Sequence, residues 1–594
     1  MLQWIEHHQK FLLVLIVVIS ATAYFPSLFN GYTAWDDPHH IILNEDIKSL
    51  SPQNILKMFR SYYVGMYHPL TTLSFALNYH FTGLNPFYFH LTNYIFHLIN
   101  ILLVYFVVRK IQPRPFVALF SALILGIHPM HVESVAWITE RKDVLYAFFF
   151  LLSLLWYLQY HSTQKKTWLW LSIGAFLCSL LSKSAAVMLP IVLFLIDWYQ
   201  HRKWSKDILE KIPYLALSLL FGIISLLSQH AGNHPHFHQD FTLFDRPFLT
   251  CYAFSYYCIK YFFPTSLSAI HPFPTKLGNL LPTEYYLSPL FVIIVIAFLW
   301  KRWRCSREYQ FGLFFFITTI ILVLQIFPLG YAVVAERYTY LPYLGISFFV
   351  GTALDTLMQK NKNLRRIILI LLIFITILFG VETHQRTKVW KDTLTLFTDA
   401  SVKSPTEYSR NNMLAFAYKL EGDLQLALKN YLTTIDLLNR SLQHNNHISE
   451  VYIERGFAYW KLGDTTAAIK DYLSAIELDP KVPQYYQQLG TIYLRTREFD
   501  KAIDSFTSAI NLDPKDKTYY HERGIAFLRN QQYEQALSDF NTAIQLKPTW
   551  GKAYANRGIV FYQLGKREQS CDDFKNALAL GFTEAQPLID SYCH

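Results

Sequence analysis

The chain is short of charge. Charged residues make up 16% of its 594 positions, against roughly 25% in an ordinary soluble domain. With 52% hydrophobic and 17% aromatic residues beside so few charges, the composition excludes a chain that is soluble throughout. Cysteine is scarce as well. Six cysteines without a C-x-x-C pair exclude a disulfide-dense scaffold and a zinc ribbon. Acidic residues are outnumbered, 43 against 53 lysines and arginines, for a net charge of +10. A nucleic-acid footprint would gather that excess on one face, whereas many of these basic residues lie in short loops between apolar runs, so no nucleic-acid partner is expected.

The charge divides the chain. Residues 1–405 hold 32 basic and 20 acidic side chains, and residues 406–594 hold 21 and 23. The first part carries apolar runs of membrane-spanning length near 11–29, 88–108, 116–131, 144–160, 167–182, 184–199, 211–229, 286–300, 311–329, 341–358 and 366–381. Five basic clusters orient them: Arg109, Lys110 and Arg114; Lys165 and Lys166; Arg202, Lys203, Lys206 and Lys211; Lys301, Arg302, Arg304 and Arg307; Lys360, Lys362, Arg365 and Arg366. All five fall on the cytoplasmic side if the stretch 249–263 stays in the interface. The expectation is about eleven crossings and an extracytoplasmic C-terminal part. Ala21, Thr22 and Ala23 resemble a signal-peptidase site, but the apolar run continues through Tyr24 and Phe25, so the first segment is read as retained.

The second part repeats itself every 34 residues. Gly456, Gly490, Gly524 and Gly558 keep that step, as do Tyr472, Phe506, Phe540 and Phe574, and Pro480, Pro514 and Pro548. This is the spacing of tetratricopeptide helix pairs. A weaker copy, with Ala415, Tyr418, Gly422 and Ala427, lies 41 residues ahead of its counterparts, giving about five repeats and a capping helix. Stacked repeats leave a groove suited to an extended peptide. Cys571 and Cys593 are the only cysteines there, and a disulfide between them fits an oxidising compartment. The expected architecture is therefore all-α: a polytopic membrane domain (1–385), a linker (386–405) and a repeat solenoid (406–594).

On this topology the membrane part gathers polar residues at its outer face, where such residues usually mark function. Asp36 and Asp37 lie in the first outer loop, His68 and His90 beside it. His128, His131 and Glu133 follow in the next outer turn, then Arg141 and Asp143. Lys183 ends one crossing, and Glu336, Arg337 and Tyr338 begin another. The set suits sugar transfer from a lipid-linked phosphate. A phosphate leaving group needs a fixed cation rather than an acid, a role for Arg337, Lys183 and Arg141. The acceptor hydroxyl needs a base, a role for Asp36 or Asp37. Against this, Asp-Asp-Pro is also an ordinary turn sequence. His128, His131, Glu133, Asp143, Glu336, Tyr338, His68 and His90 are read as lining the substrate site. Structural packing and a divalent metal are the alternatives for His128, His131 and Glu133, with Pro129 opposing a regular His-x-x-His helix; no cofactor is otherwise called for. His230, His234, His236 and His238 are read as a solvated loop.

Trp35-Asp36-Asp37, His68-Pro69-Leu70-Thr71-Thr72, Gly83-Leu84-Asn85-Pro86, His90-Leu91-Thr92-Asn93, His128-Pro129-Met130-His131-Val132-Glu133 and Glu336-Arg337-Tyr338-Thr339-Tyr340 together resemble the transmembrane-and-tetratricopeptide-repeat proteins. Those are GT-C-class membrane glycosyltransferases related to protein O-mannosyltransferases, and the resemblance covers nearly the whole chain. It implies a polyprenyl-phosphate sugar donor, an acidic motif at Asp36 and Asp37, a lipid-phosphate contact at Arg337, and inverting transfer to Ser or Thr of an acceptor protein or peptide held by the repeats. Ser184, where eukaryotic relatives tend to have an acidic residue, and Glu140 ahead of Arg141, where a glycine is common, depart from the pattern. Short loops and compact size suggest a bacterial inner-membrane chain. A non-catalytic repeat scaffold and a glycan-modifying ligase are the rival readings.

Overall fold

The computed structural model describes the chain except residues 1, 203, 232–240, 272, 275, 277–279, 304–305, 327–331, 404–406, 428 and 594. The histidines at 234, 236 and 238 and the cations at 203 and 304 thus lie outside the described residues. The described residues are mainly helical, with no extended strand among them and isolated bridge positions only, as between Tyr63 and Met66. They form two compact units, Met1–Arg410 and Asn411–His594.

The first unit contains helical structure in each of the eleven expected stretches and also at Arg246–Phe262. Among the described residues, five helices are long and apolar enough to cross a bilayer: Trp4–Phe29, Pro86–Ile111, Ile138–Thr163, Ile208–Gln229 and Lys362–Val389. Pro115–Ile127 and Pro129–Ala136 together make a sixth candidate, bent by 57°. Three shorter apolar helices are Lys166–Ser182, Ser184–Tyr199 and Thr283–Ala297. Local chemistry sets the ends. Asn85 caps Pro86–Ile111 by accepting from the Phe87 N–H, with proline at the first turn where its missing donor does no harm. Asn361 caps Lys362–Val389 through the N–H groups of Asn363 and Leu364. The most apolar 18-residue stretch of that helix has a mean hydropathy of 2.5, and the helix leaves Ile370, Phe374 and Ile377 exposed. So long an apolar face would be untenable in water and fits hydrocarbon. The chain is a membrane protein.

Packing in this unit relies on small residues, as between membrane helices. A Cβ on Gly345 would fall 2.5 Å from the carbonyl oxygen of Gly312, so Tyr343–Lys360 and Arg307–Ile320 meet backbone to backbone. Residues 386–405, expected as a linker, include the end of Lys362–Val389, the fully buried Trp390 and the helix Thr393–Val402, whose Leu396 and Phe397 are buried.

The second unit is a row of helix pairs. Glu407–Ala427 precedes Tyr431–His444; then come Ser449–Leu462 with Thr465–Leu478, Pro483–Arg495 with Phe499–Leu512, Lys517–Arg529 with Tyr533–Leu546, and Gly551–Gln563 with Arg567–Ala579. A Cβ on Gly490 or Gly524 would press to 2.9 Å from the ring of Phe506 or Phe540, which is why the glycine and aromatic steps run together. Arg455, Arg523 and Arg557 each fork onto an aspartate, Asp471, Asp539 and Asp573, and reach Asn439, Thr507 and Asn541 of the preceding helix. In the repeat between them Leu489 and Ser505 replace both partners of the pair, and Leu489 joins an apolar cluster with Tyr472 and Phe506. The charge and its partner are exchanged together, so neither is left unpaired.

The last helix, Gln586–Tyr592, is tied back by a Cys571–Cys593 disulfide across 22 residues. Closing a loop of that length restricts the unfolded chain by about 3 kcal/mol. Cys571→Ser is expected to release this cap. Hydrogen exchange should accelerate across 586–592 while the central repeats keep their protection; unchanged exchange at the cap would show that the bond contributes nothing.

Candidate active site

The break at Pro129 builds one wall of the site. After Pro115–Ile127 the chain turns, His128 accepts from the Met130 N–H at 3.2 Å, and Pro129–Ala136 sets off in a new direction. Glu133 and Ser134 are thereby brought against Glu336–Thr339 and the start of Arg141–Thr163. The opposite wall is the first loop. Asn30 donates to the Thr387 carbonyl at 3.0 Å, Gly31 N–H to the Lys391 carbonyl at 2.8 Å, and Ala34 N–H to Thr393 Oγ1 at 2.8 Å. Trp35 stacks on Trp137 and Trp137 on Trp390, with centroids 5.2 and 5.3 Å apart. This loop is a fixed element rather than a surface turn.

Asp36 and Asp37 differ in what surrounds them. Asp37 is buried and accepts from Thr33 N–H at 2.8 Å, Thr33 Oγ1 at 3.1 Å and Thr139 N–H at 3.2 Å. It ties the loop to the 138–140 turn. Burial pushes its pKa up to about 7 against the pull of these donors. Asp36 is half-buried; its backbone carbonyl accepts from His40 N–H at 3.2 Å, while its carboxylate has no hydrogen-bond or ion-pair partner among the described residues. Burial raises its pKa, while Lys142 and Arg337 oppose the rise. It is a carboxylate with both oxygens available, in a field of two cations.

Those cations belong to a charged cluster centred on Glu140, which is 1% exposed. Glu140 meets Lys142 at 3.1 Å, Arg337 at 3.4 Å and Lys183 at 3.9 Å. Arg337 also binds Glu133 through its guanidinium and, at 3.0 Å, through its backbone N–H. Lys183 pairs with Asp143, which accepts from Ser134 Oγ at 3.0 Å. Arg337 and Lys183 share Tyr338 as well, lying 5.0 and 5.9 Å from its ring. Burial disfavours the charge on Lys183, but Asp143 and Glu140 outweigh it and raise its pKa. The side chains of Arg337 and Lys183 keep 21% and 19% exposure. They form a lip of two partly exposed cations, held charged by the carboxylates of Glu133, Glu140 and Asp143.

Arg141 lies apart from these cations. Expected among the phosphate contacts, it is fully buried between Phe75 and Phe89. Its guanidinium donates to Asn93 Oδ1 at 2.8 Å, the Phe89 carbonyl at 2.8 Å, the Ser74 carbonyl at 3.1 Å and Asn78 Oδ1 at 2.5 Å. An anion could reach it only by displacing these acceptors. Arg141→Lys, which cannot fork, is expected to lower stability by about 3 kcal/mol through unsatisfied buried acceptors. Its thermal midpoint in detergent should fall while phosphate-lipid affinity of the folded fraction holds; loss of affinity without loss of stability would restore the phosphate role.

The remaining expected residues divide similarly. Glu336 is engaged by Arg386 at 2.8 and 3.0 Å and braces the wall rather than facing substrate. His128 uses both nitrogens, toward the Tyr261 carbonyl at 3.0 Å and the Met130 N–H. His90 bonds the Gly31 carbonyl at 3.2 Å. His131 bonds the Leu125 carbonyl at 3.0 Å and has Nε2 unpartnered. His68 Nε2 is also unpartnered; its ring lies 5.2 Å from that of His40, and burial lowers its pKa to about 4, so it is neutral. Glu133 serves Arg337. Among the described residues no three His, Cys, Asp or Glu side chains are placed to hold a metal ion. The Glu140-Arg141-Lys142-Asp143 charge run places Glu140 and Lys142 at this membrane edge in the sequence, but sequence reasoning gave neither a role in the site.

Residues 69–228 match the family described as dolichyl-phosphate-mannose-protein mannosyltransferase, and residues 456–496, 483–516 and 518–549 match tetratricopeptide repeat families. Protein O-mannosyl-transferase tmtc2 of Xenopus laevis is 30% identical over 243 residues, covering 36% of this chain and 29% of that one. Protein O-mannosyl-transferase TMTC3 of Mus musculus is 24% identical over 490 residues, 70% of this chain and 50% of that one. Protein O-mannosyl-transferase F38B6.6 of Caenorhabditis elegans is 24% identical over 456 residues, 72% and 62%. The chain thus matches from under a third to just over three fifths of these relatives' length. Among solved structures, a crystal structure of MamA aligns with a TM-score of 0.27 at 23% identity, covering 28% of this chain and 96% of that one. With a segment matching the mannosyltransferase family followed by tetratricopeptide repeats in one helical membrane protein, the chain is similar in sequence and in domain order to the transmembrane-and-tetratricopeptide-repeat O-mannosyl-transferases.

Proposed function

We propose that this protein is a membrane glycosyltransferase that moves a sugar, mannose by analogy with its relatives, from a polyprenyl-phosphate donor to a Ser or Thr hydroxyl of an acceptor protein on the extracytoplasmic face. The observation that carries the reading is the unpartnered Asp36 carboxylate set in the field of Arg337 and Lys142, beside a lip of two cations that share Glu140. In the reaction the bond from the anomeric carbon to the phosphate oxygen breaks and both of its electrons leave with the phosphate. Arg337 and Lys183 stabilise the growing negative charge. The acceptor oxygen bonds to the anomeric carbon and passes its proton to Asp36. Asp37 and Glu133 are positioning residues: one holds the loop that presents Asp36, the other holds the guanidinium.

No step in this scheme uses a metal. The membrane unit, expected over residues 1–385, supplies the chemistry, and the repeat unit recruits the acceptor. The Cys571–Cys593 disulfide supports an oxidising compartment for the repeats, in keeping with the basic clusters facing the cytoplasm. The test is incubation of the purified full chain with polyprenyl-phosphate mannose and candidate acceptor proteins, with mass measurement of released lipid phosphate and of the acceptor. Hexose added to Ser or Thr is the expected product. Release into a glycan alone would identify a glycan-modifying transferase, and no release with any polyprenyl-phosphate sugar would leave the repeat-scaffold reading.

A further inference from the structure

A second polar feature lies at the other end of the same helices. Between Asp143 and Gln159 the helix Arg141–Thr163 rises about 24 Å at ~1.5 Å per residue, close to the thickness of a bilayer's hydrocarbon core, about 30 Å. There a cleft of about 430 Å³ opens between the ends of Pro86–Ile111 and Arg141–Thr163 and the start of Lys166–Ser182. Phe106, Trp156 and Trp168 line it together with Arg109 and Lys110. Lys110 donates to Gln159 Oε1 at 2.7 Å. No acidic side chain lines the cleft, and among the described residues neither Arg109 nor Lys110 has a carboxylate partner.

Arg114, Lys142, Lys183, Arg202, Lys211, Arg337 and Arg386 of the same unit are paired with acids, and Arg141 is satisfied by neutral acceptors; Arg109 and Lys110 stand against aromatic rings with no carboxylate to neutralise them. Trp168, in the first turn of Lys166–Ser182, and Trp156, two turns before the end of Arg141–Thr163, are of the side-chain type that settles at headgroup depth. Phe106 is 47% exposed on the flank that would face acyl chains. A hydrophilic anion would leave the aromatic walls uncovered, and an uncharged lipid would leave both cations without a counter-ion.

We propose that this cleft is a binding site for an anionic glycerophospholipid of the leaflet opposite the catalytic lip, with its phosphate on Arg109 and Lys110 and its proximal chain against Phe106, Trp156 and Trp168. The site does not depend on the transferase reading, since no residue of the catalytic cluster takes part.

Native mass spectrometry of the detergent-purified full chain tests it, with phosphatidylglycerol, phosphatidylcholine and inorganic phosphate as probes. Phosphatidylglycerol should be retained in preference to phosphatidylcholine. Arg109→Ala with Lys110→Ala should weaken its retention by about 25-fold, fivefold for each charge near the membrane surface. Arg109→Lys with Lys110→Arg, which keeps both charges, should restore it. Asp36→Asn should retain the lipid as the parent does. Equal retention of the two lipids, displacement of phosphatidylglycerol by millimolar inorganic phosphate, undiminished retention in the double alanine variant, or failure of the charge-keeping pair to rescue would each overturn the assignment.

Discussion

Asp36→Asn is expected to slow sugar transfer by about a thousandfold while leaving the membrane unit folded. Asparagine has the same shape but cannot take the acceptor's proton. Asp36 makes no hydrogen bond or ion pair in the described structure that the change would break. Its neighbour should behave in the opposite way. Asp37→Asn offers one carbonyl oxygen to donors that now reach both carboxylate oxygens, so an amide N–H must face an N–H of Thr33 or Thr139. A loss of about 1–3 kcal/mol in stability follows, and activity falls because the loop shifts. The pair is separated by measuring turnover and thermal midpoint on the same preparations. Full turnover in Asp36→Asn would end the catalytic reading.

The pH dependence has a definite sign. Burial raises the Asp36 pKa, so activity should fall with acidification through a value above that of an ordinary aspartate, about 3.9. Lys142→Met removes an opposing cation and should move that limb to still higher pH.

The two halves of the molecule were legible to different degrees. The repeats announce themselves because a stacked array imposes the same glycine-on-aromatic contact at every step, and a contact repeated at fixed spacing is visible in one dimension. The outer-face motifs were visible for a related reason: charge at a membrane edge is costly enough to stand out. Their division of labour was not visible. Asp36 and Asp37 are adjacent, and only the distant Thr139 N–H shows which of them is committed to structure. Arg141 looked like Arg337 in sequence, yet the first is saturated by Ser74, Asn78, Phe89 and Asn93 from two other helices, while the second keeps a partly open edge. Saturation is a property of partners 48 to 67 residues away, so local pattern carries no trace of it.

Arg337→Ala should reduce kcat by about 10²–10³-fold, the scale set by removing one preorganised charge-stabilising donor. Arg337→Lys should recover part of it, because a single ammonium cannot hold both Glu133 and Glu140 and still present a donor to phosphate. A structural explanation competes with this one. Removing the guanidinium strips a cation from Glu133 and Glu140, both 1% exposed or less, and uncompensated buried carboxylates destabilise strongly. The double variant Arg337→Ala with Glu133→Gln separates the two. With a neutral amide in place of one stranded carboxylate, the thermal midpoint should return toward that of the parent. Turnover should stay low, since the cation that meets the leaving phosphate is still absent. If turnover recovers with stability, Arg337 acts only as a brace for Glu133, and stabilisation of the leaving group rests on Lys183 and its neighbour Lys142.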